Sequence, residues 1–156
     1  MTEPEELFAR VYDTYGPSLY RFCLMQMKNQ ADAEDILQEV LIKRLYQAPK
    51  FKSPEHERNW LFQVALNLCR DEWRRGRRSE LPLEAAAGAA IAPEELSLLD
   101  QAANLPEKQR TALHLYYYEG YTVREIARLL GVTGPAVKMR LKRGRELLKI
   151  ELEGSY

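Results

Sequence analysis

Apolar positions recur along this chain at a spacing near 3.6 rather than 2, so the pattern predicts helices throughout and an all-α fold. Over residues 5–28 one apolar stripe carries Leu7, Phe8, Val11, Tyr12 and Tyr15. Gly16-Pro17 is expected to interrupt or kink it, and Leu19, Tyr20, Phe22, Cys23 and Met27 continue beyond. A short break at 29–31 separates this from a helix over Asp32–Tyr46. There Ala33, Ile36, Leu37, Val40, Leu41 and Arg44 gather on one side, and Asp35, Gln38, Glu39, Ile42 and Tyr46 on the other. Residues 48–59, APKFKSPEHERN, hold two prolines and no periodicity and read as a loop. A long helix then runs from Asn59 to about Arg75, with Leu61, Phe62, Ala65, Leu66, Leu68, Cys69 and Trp73 inward. Leu105-Pro106 opens another helix, with Pro106 at its first position. Leu113, Leu115, Tyr116 and Tyr117 form its apolar side, and Glu119-Gly120 ends it.

The stretch Tyr121–Leu148 reads as two short helices across a tight turn. Thr122 is a candidate N-cap, with Ile126, Ala127 and Leu130 pointing inward. Gly131 suits the positive φ of a helix stop. Thr133 can cap the second helix, and Pro135 sits in its first turn, where a missing N–H costs nothing. Val137, Leu141, Gly144 and Leu148 share one face of that helix. Pro135, Met139 and Lys142 lie opposite, with Lys138 and Arg143 on the shoulders. A capped helix that is apolar inside and basic outside, after another across a tight turn, is the helix-turn-helix pattern, which places its second helix in a DNA major groove.

Charge sharpens this. The chain is formally neutral, but residues 80–104 hold five acids and no Lys or Arg, whereas 105–156 hold ten basic and six acidic side chains. Eight of those basic residues lie at 124, 128, 138, 140, 142, 143, 145 and 149, opposed there only by Glu125 and Glu146. The acidic, Ala-rich segment predicts a linker near 79–92 that phosphates would repel, followed by a short helix near 93–103.

Two surfaces in the first half hold candidate chemistry. Ile42 and Tyr46 among the acids of the 32–46 helix suggest a protein-binding face, or scattered surface apolars. Gln63, Asn67, Arg70, Arg74 and Arg77 follow at steps of four and three, one polar stripe if the helix persists that far. Amides suit base edges, arginines suit phosphates, and Trp60 beside the stripe offers a stacking surface. A plain polar helix face is the alternative.

Cys23 and Cys69 each sit in an apolar pattern and read as buried small hydrophobes in a reducing compartment. His56 and His114 are isolated, the latter structural. Nothing points to a metal, a cofactor or a catalytic dyad, so no enzyme is expected. No leader pattern and no apolar run near 20 residues is present, so a cytoplasmic protein without membrane insertion is expected.

The strings DAEDILQEVLIKRLY (32–46), NWLFQVALNLCRDEWRR (59–75), LPEKQRTALHLYYYEGYTVREIARLLGV (105–132) and VKMRLKRGRELL (137–148), in this order around a variable linker, resemble the extracytoplasmic-function (ECF) sigma factors of bacterial RNA polymerase. The resemblance covers about residues 5–78 and 100–152. It implies two small helical domains: a sigma region 2-like bundle over 1–78, a linker over 79–99, and a region 4-like helix-turn-helix domain over 100–156. Asp35, Gln38, Glu39 and Ile42 would dock on the β′ clamp helices of core polymerase, with the β flap as a further contact. Minus-10 recognition and opening would fall to Lys52, His56, Arg58, Trp60, Gln63, Asn67, Arg70 and Arg74, through capture of an unstacked base. Minus-35 recognition would fall to Arg124, Thr133, Pro135, Lys138, Met139, Lys142, Arg143 and Arg145, with Arg124, Arg140 and Arg145 on phosphates and no base contact from Arg140. An anti-sigma factor is an implied partner. Departures are the loop SPEHERN, which lacks the family's Phe-rich pattern, and Met139 and Pro135 in the second reading helix. From the residues alone, a stand-alone helix-turn-helix regulator and a polymerase-binding sigma mimic stay open.

Overall fold

A computed structural model describes residues 2–76 and 102–154, with side chains to Lys149, and every regular element among them is helical. The chain divides into two compact units, Met1–Ile91 and Ala92–Tyr156. The linker and short helix expected over 79–103 lie almost wholly outside the described residues; only Ala102 and Ala103 are seen there, helical and buried.

In the first unit α1 (Glu3–Met27), α2 (Gln30–Tyr46) and α3 (Pro54–Arg74) pack on one another. Thr2 and Glu5 form a reciprocal capping box that starts α1. The helix runs through Gly16-Pro17 without a break. The expected interruption does not occur: a residue before proline normally avoids helical backbone because its Cβ meets the proline ring, and Gly16, having none, removes that obstacle. The expected stripe is also incomplete. Val11 is buried, but Phe8 and Tyr12 are exposed and stack on each other at 5.8 Å. Conversely, every residue from Phe22 to Met27 is buried, including Leu24, Met25 and Gln26, which a single stripe does not predict.

The break before α2 is shorter than expected. Lys28 takes left-handed backbone (φ 58°), and Asn29 caps a helix that begins at Gln30 by accepting from the Asp32 N–H. Ala33, Ile36, Leu37, Val40 and Leu41 are buried as the pattern requires, and Leu61, Phe62, Ala65, Leu66 and Cys69 are buried on α3, which packs on both α1 and α2. Phe22 and Phe62 touch edge to face at 5.4 Å. Cys23 and Cys69 are free and buried. A hydrogen bond to Cys69 and burial push the Cys23 thiol well up, which suppresses the reactive thiolate.

The expected loop over 48–59 is a correction: helix α3 starts at Pro54. Ser53 accepts from the His56 N–H and Pro54 takes the first helical position, so this proline opens a helix instead of breaking one. The far end stops at Arg74, with Gly76 at φ 69°, so Arg77 lies outside the described residues and the polar stripe ends at Arg74.

The second unit holds α4 (Glu107–Leu113), a π-helical turn (His114–Tyr118), α5 (Val123–Leu130) and α6 (Gly134–Gly154). Pro106 stands just before α4 rather than inside it. The buried Arg110 donates to the carbonyls of Ala103 and Leu105 and so closes the turn into α4. The π-turn changes the register: Leu113, His114 and Leu115 are buried in succession, while Tyr116 and Tyr117 face solvent. The apolar role expected of those two tyrosines is thereby corrected, because a 3.6-residue wheel fails where the helix widens. His114 is structural, its Nε2 2.6 Å from Glu119 Oε2 inside the core. Among the described residues no helix is long and apolar enough to cross a membrane, and no cluster of His, Cys, Asp and Glu could hold a metal.

Candidate polymerase and promoter interfaces

The first surface is the outer face of α2. Burial of Ile36, Leu37, Val40 and Leu41 leaves Asp35, Gln38, Glu39 and Ile42 exposed on the opposite side. Ile42 is 54% exposed and Tyr46, one turn on, is 74% exposed. Two large apolar side chains thus stand next to acids in solvent, an arrangement that suits a protein-binding face. Tyr46 lies on this face by its i+4 spacing from Ile42, as the sequence pattern places it.

The second surface joins the loop 47–53 to α3. Phe51 sits at its centre, edge to face with His56 (5.1 Å) and Trp60 (5.7 Å), and Lys52 donates its N–H to His56 Nδ1 at 3.1 Å. Gln63 Nε2 donates to Asn67 Oδ1 at 3.1 Å, and Arg70 and Arg74 continue along the same side, Arg74 also pairing with Asp71. Thus Lys52, His56, Trp60, Gln63, Asn67, Arg70 and Arg74 share one side of α3 and the loop above it. Arg58 is the exception. At 100° per residue it faces nearly opposite Trp60, and its guanidinium lies 5.8 Å from the Phe62 ring. Reading 48–59 as loop left no face to assign it to; the helix places it away from the stripe.

Beneath this surface lies a charged cluster without a local sequence signal. Glu57, only 5% exposed, accepts from Arg10 Nη1 and Nη2 (3.1 and 2.8 Å) and from Arg44 Nε (2.7 Å), with Arg44 Nη2 at 2.6 Å. Burial alone would raise the Glu57 carboxyl; the hydrogen bonds from Arg10 and Arg44 outweigh it and hold the carboxyl below its ordinary value. Arg44 in turn lies 4.8 Å over the face of Phe51. Arg44 lies on α2, Glu57 on α3 and Phe51 in the connection between them, so no single helical periodicity relates the three.

The third surface is the α5–α6 pair. Thr122 and Glu125 form a reciprocal capping box on α5, and Gly131 ends it at φ 68°. Thr133 Oγ1 accepts from the Ala136 N–H and so starts α6. Val137, Leu141 and Gly144 are buried against the rest of the unit. That orientation leaves Pro135, Lys138, Met139, Lys142, Arg143 and Arg145 exposed, Met139 by 63%, with Arg124 exposed on α5. The Thr133 hydroxyl is also exposed, though committed to its cap. Arg143 lies 3.6 Å from Glu146, an exposed pair of little energetic weight, and Arg145 donates to the Tyr117 hydroxyl at 3.1 Å.

The Sigma-70 region 2 family matches residues 11–79, and Sigma-70, region 4 matches residues 95–148. An ECF RNA polymerase sigma factor, SigL of Mycobacterium tuberculosis, is 30% identical over 94% of this chain and 89% of its own length. This chain belongs to the ECF sigma factors. The ECF sigma factor SigW of Bacillus subtilis is 27% identical over 95% of this chain and 90% of its own. Among solved structures, CnrH in complex with the cytosolic domain of CnrY superposes with a TM-score of 0.74 at 23% identity, covering 97% of this chain and 91% of that one. The sigma factor RpoE of Bartonella quintana, in complex with the anti-sigma factor NepR, gives 0.73 at 23% identity, covering 94% and 96%. As an ECF sigma factor the chain directs RNA polymerase to promoters, and its fold is that of the family.

Proposed function

We propose that the three surfaces divide the sigma-factor task among them. The outer face of α2, with Asp35, Gln38, Glu39 and Ile42, docks the first unit on the β′ clamp helices of core polymerase, and the β flap engages the second unit. The side of α3 that carries Trp60, Gln63, Asn67, Arg70 and Arg74, with Lys52 and His56 at its head, receives the minus-10 element and holds an unstacked base. α6 enters the major groove of the minus-35 element, where Lys138, Met139, Lys142 and Arg143 meet base edges and Arg124 and Arg145 meet phosphates. The domains run over 1–78 and 100–156, joined by an acidic linker over 79–99. The protein works in the cytoplasm, performs no covalent chemistry, and is held in check by an anti-sigma factor.

The observation that supports this best is the orientation of α6. One face is anchored by Val137, Leu141 and Gly144, so the basic side chains and an exposed methionine stand together on the other. Run-off transcription with sigma-free bacterial core polymerase and a library of random promoter sequences tests the reading. Transcripts from defined starts that depend on this protein, sharing two spaced elements, support it. Binding to core without transcript, or tight binding of the protein alone to a palindromic site, overturns it.

A further inference from the structure

The geometry points to Glu57, Arg44 and Phe51 as a clamp that sets the minus-10 loop in its reading position before DNA arrives. This rests on the minus-10 reading above and adds to it the residues that hold the loop, none of which belongs to the DNA-facing stripe.

The chain of contacts is continuous. Glu57 on α3 fixes the Arg44 guanidinium from α2 through its Nε and Nη2. The guanidinium carbon then lies 4.8 Å over the ring of Phe51, which stands in the seven-residue connection 47–53. Phe51 contacts both His56 and Trp60 by their edges, and the Lys52 N–H is held by His56 Nδ1. The rim is tied as well: Arg10 shares the Glu57 carboxylate, and the Tyr15 hydroxyl donates to the Pro54 carbonyl at 3.4 Å.

Two physical arguments give this arrangement a role beyond holding the fold together. Ordering a free connection of seven residues against DNA would cost more backbone entropy than stacking one captured base returns. A loop ordered in advance spares that cost. The clamp is also costly as a pure stability element. A carboxylate at 5% exposure is favourable only while its cations stay in place, and an apolar residue would fill the same space more cheaply. What the charges add is direction. Only a planar cation anchored by a fixed acid holds its face on an aromatic ring and so fixes where Phe51, and with it Trp60, stands. Arg44 lies two residues from Ile42 on the same helix, so the clamp ties the loop to the helix whose other face docks on polymerase.

The test uses full-length protein with core polymerase and a promoter from the run-off selection, carrying 2-aminopurine in its minus-10 element. Arg44→Lys keeps the charge opposite Glu57 but loses the flat face over Phe51. Phe51→Ala leaves the Glu57 ion pairs intact and removes the ring. Each is expected to slow opening about three- to tenfold, the size a cation–π contact allows. Each should also reduce the rate advantage of the selected minus-10 element over single-base variants. Affinity for core polymerase should stay at the wild-type value, the Trp-monitored unfolding midpoint should fall by less than in Glu57→Ala, and Phe51→Tyr should restore the rate. Unchanged opening and unchanged discrimination in both variants overturn the clamp. Loss of opening matched by equal loss of core binding makes it a fold element only and overturns it too. If the wild-type protein opens no promoter, the sigma reading itself fails and the clamp with it, so the two failures are distinguished by the wild-type control.

Discussion

The two units hold their exposed functional side chains in opposite ways. In the second, orientation is local. Capping boxes and a glycine stop define α5 and the start of α6, and one apolar face on α6 determines which residues look outward. In the first, orientation is tertiary. The loop before α3 is placed by a carboxylate from α3, guanidiniums from α1 and α2, and an aromatic ring in the loop itself. A surface built by local rules tolerates change elsewhere in its unit, whereas one built by long-range contacts can be lost by a substitution that touches no ligand.

The largest expected effect is on the tertiary side. Glu57→Ala leaves the Arg44 guanidinium, with 13% of its side chain exposed, without its acceptor, and should destabilise the first unit by about 3 kcal/mol. Both tryptophans, Trp60 and Trp73, lie in that unit, so denaturant unfolding of the full chain followed by tryptophan fluorescence reads it selectively. A loss below about 1 kcal/mol would place the clamp with ordinary surface pairs.

The same carboxylate makes a pH prediction. Its pKa is lower folded than unfolded, so its contribution is fully present above the ordinary glutamate value and is lost as pH falls through the depressed folded value. The tryptophan-monitored midpoint should therefore fall on acidification below about pH 4.3, and fall less steeply in Glu57→Gln.

On the local side, Arg143→Ala should weaken minus-35 binding by the holoenzyme by about 1–3 kcal/mol if it makes a bidentate base contact, with no change in the unfolding midpoint. Equal occupancy of promoters with and without the element, in wild type and variant alike, would remove Arg143 from the reading set.

Gly144→Ala sharpens the comparison from within the second unit. A Cβ there would lie 2.7 Å from Leu113 Cδ1 and 2.9 Å from its Cγ. Alanine's helix preference offsets part of the overlap, but Leu113 is buried and has little room to move. The expected net loss is about 1–2 kcal/mol by far-ultraviolet circular dichroism, with the tryptophan transition unmoved. The smallest effect is Thr122→Ala, about 1 kcal/mol from the capping box, which Thr122→Ser should largely restore.

These comparisons also mark what could be read from the chain alone. The helix-turn-helix was legible almost to the residue because its signals act over three or four positions: Thr122, Gly131, Thr133 and the 137–141–144 face stand where the pattern placed them. The α2 face, Tyr46 included, was legible for the same reason. Local signals were also misread. Ser53-Pro54 was a helix start that looked like a loop, and Gly16 disarmed a proline that looked like a break.

The sequence by itself determined the all-helical class, the inward faces of α2, α3 and α6, and the basic outward face of α6. Each follows from a repeat of 3.6 residues and from caps that need only their neighbours. Tertiary structure alone decided that Phe8 and Tyr12 stay exposed and that Tyr116 and Tyr117 turn outward across a widened helix. It alone gathered Glu57, Arg44 and Phe51. Their meeting depends on how three helices pack, and a pattern of hydrophobic and polar positions records which face is buried but not which buried charge will find which partner.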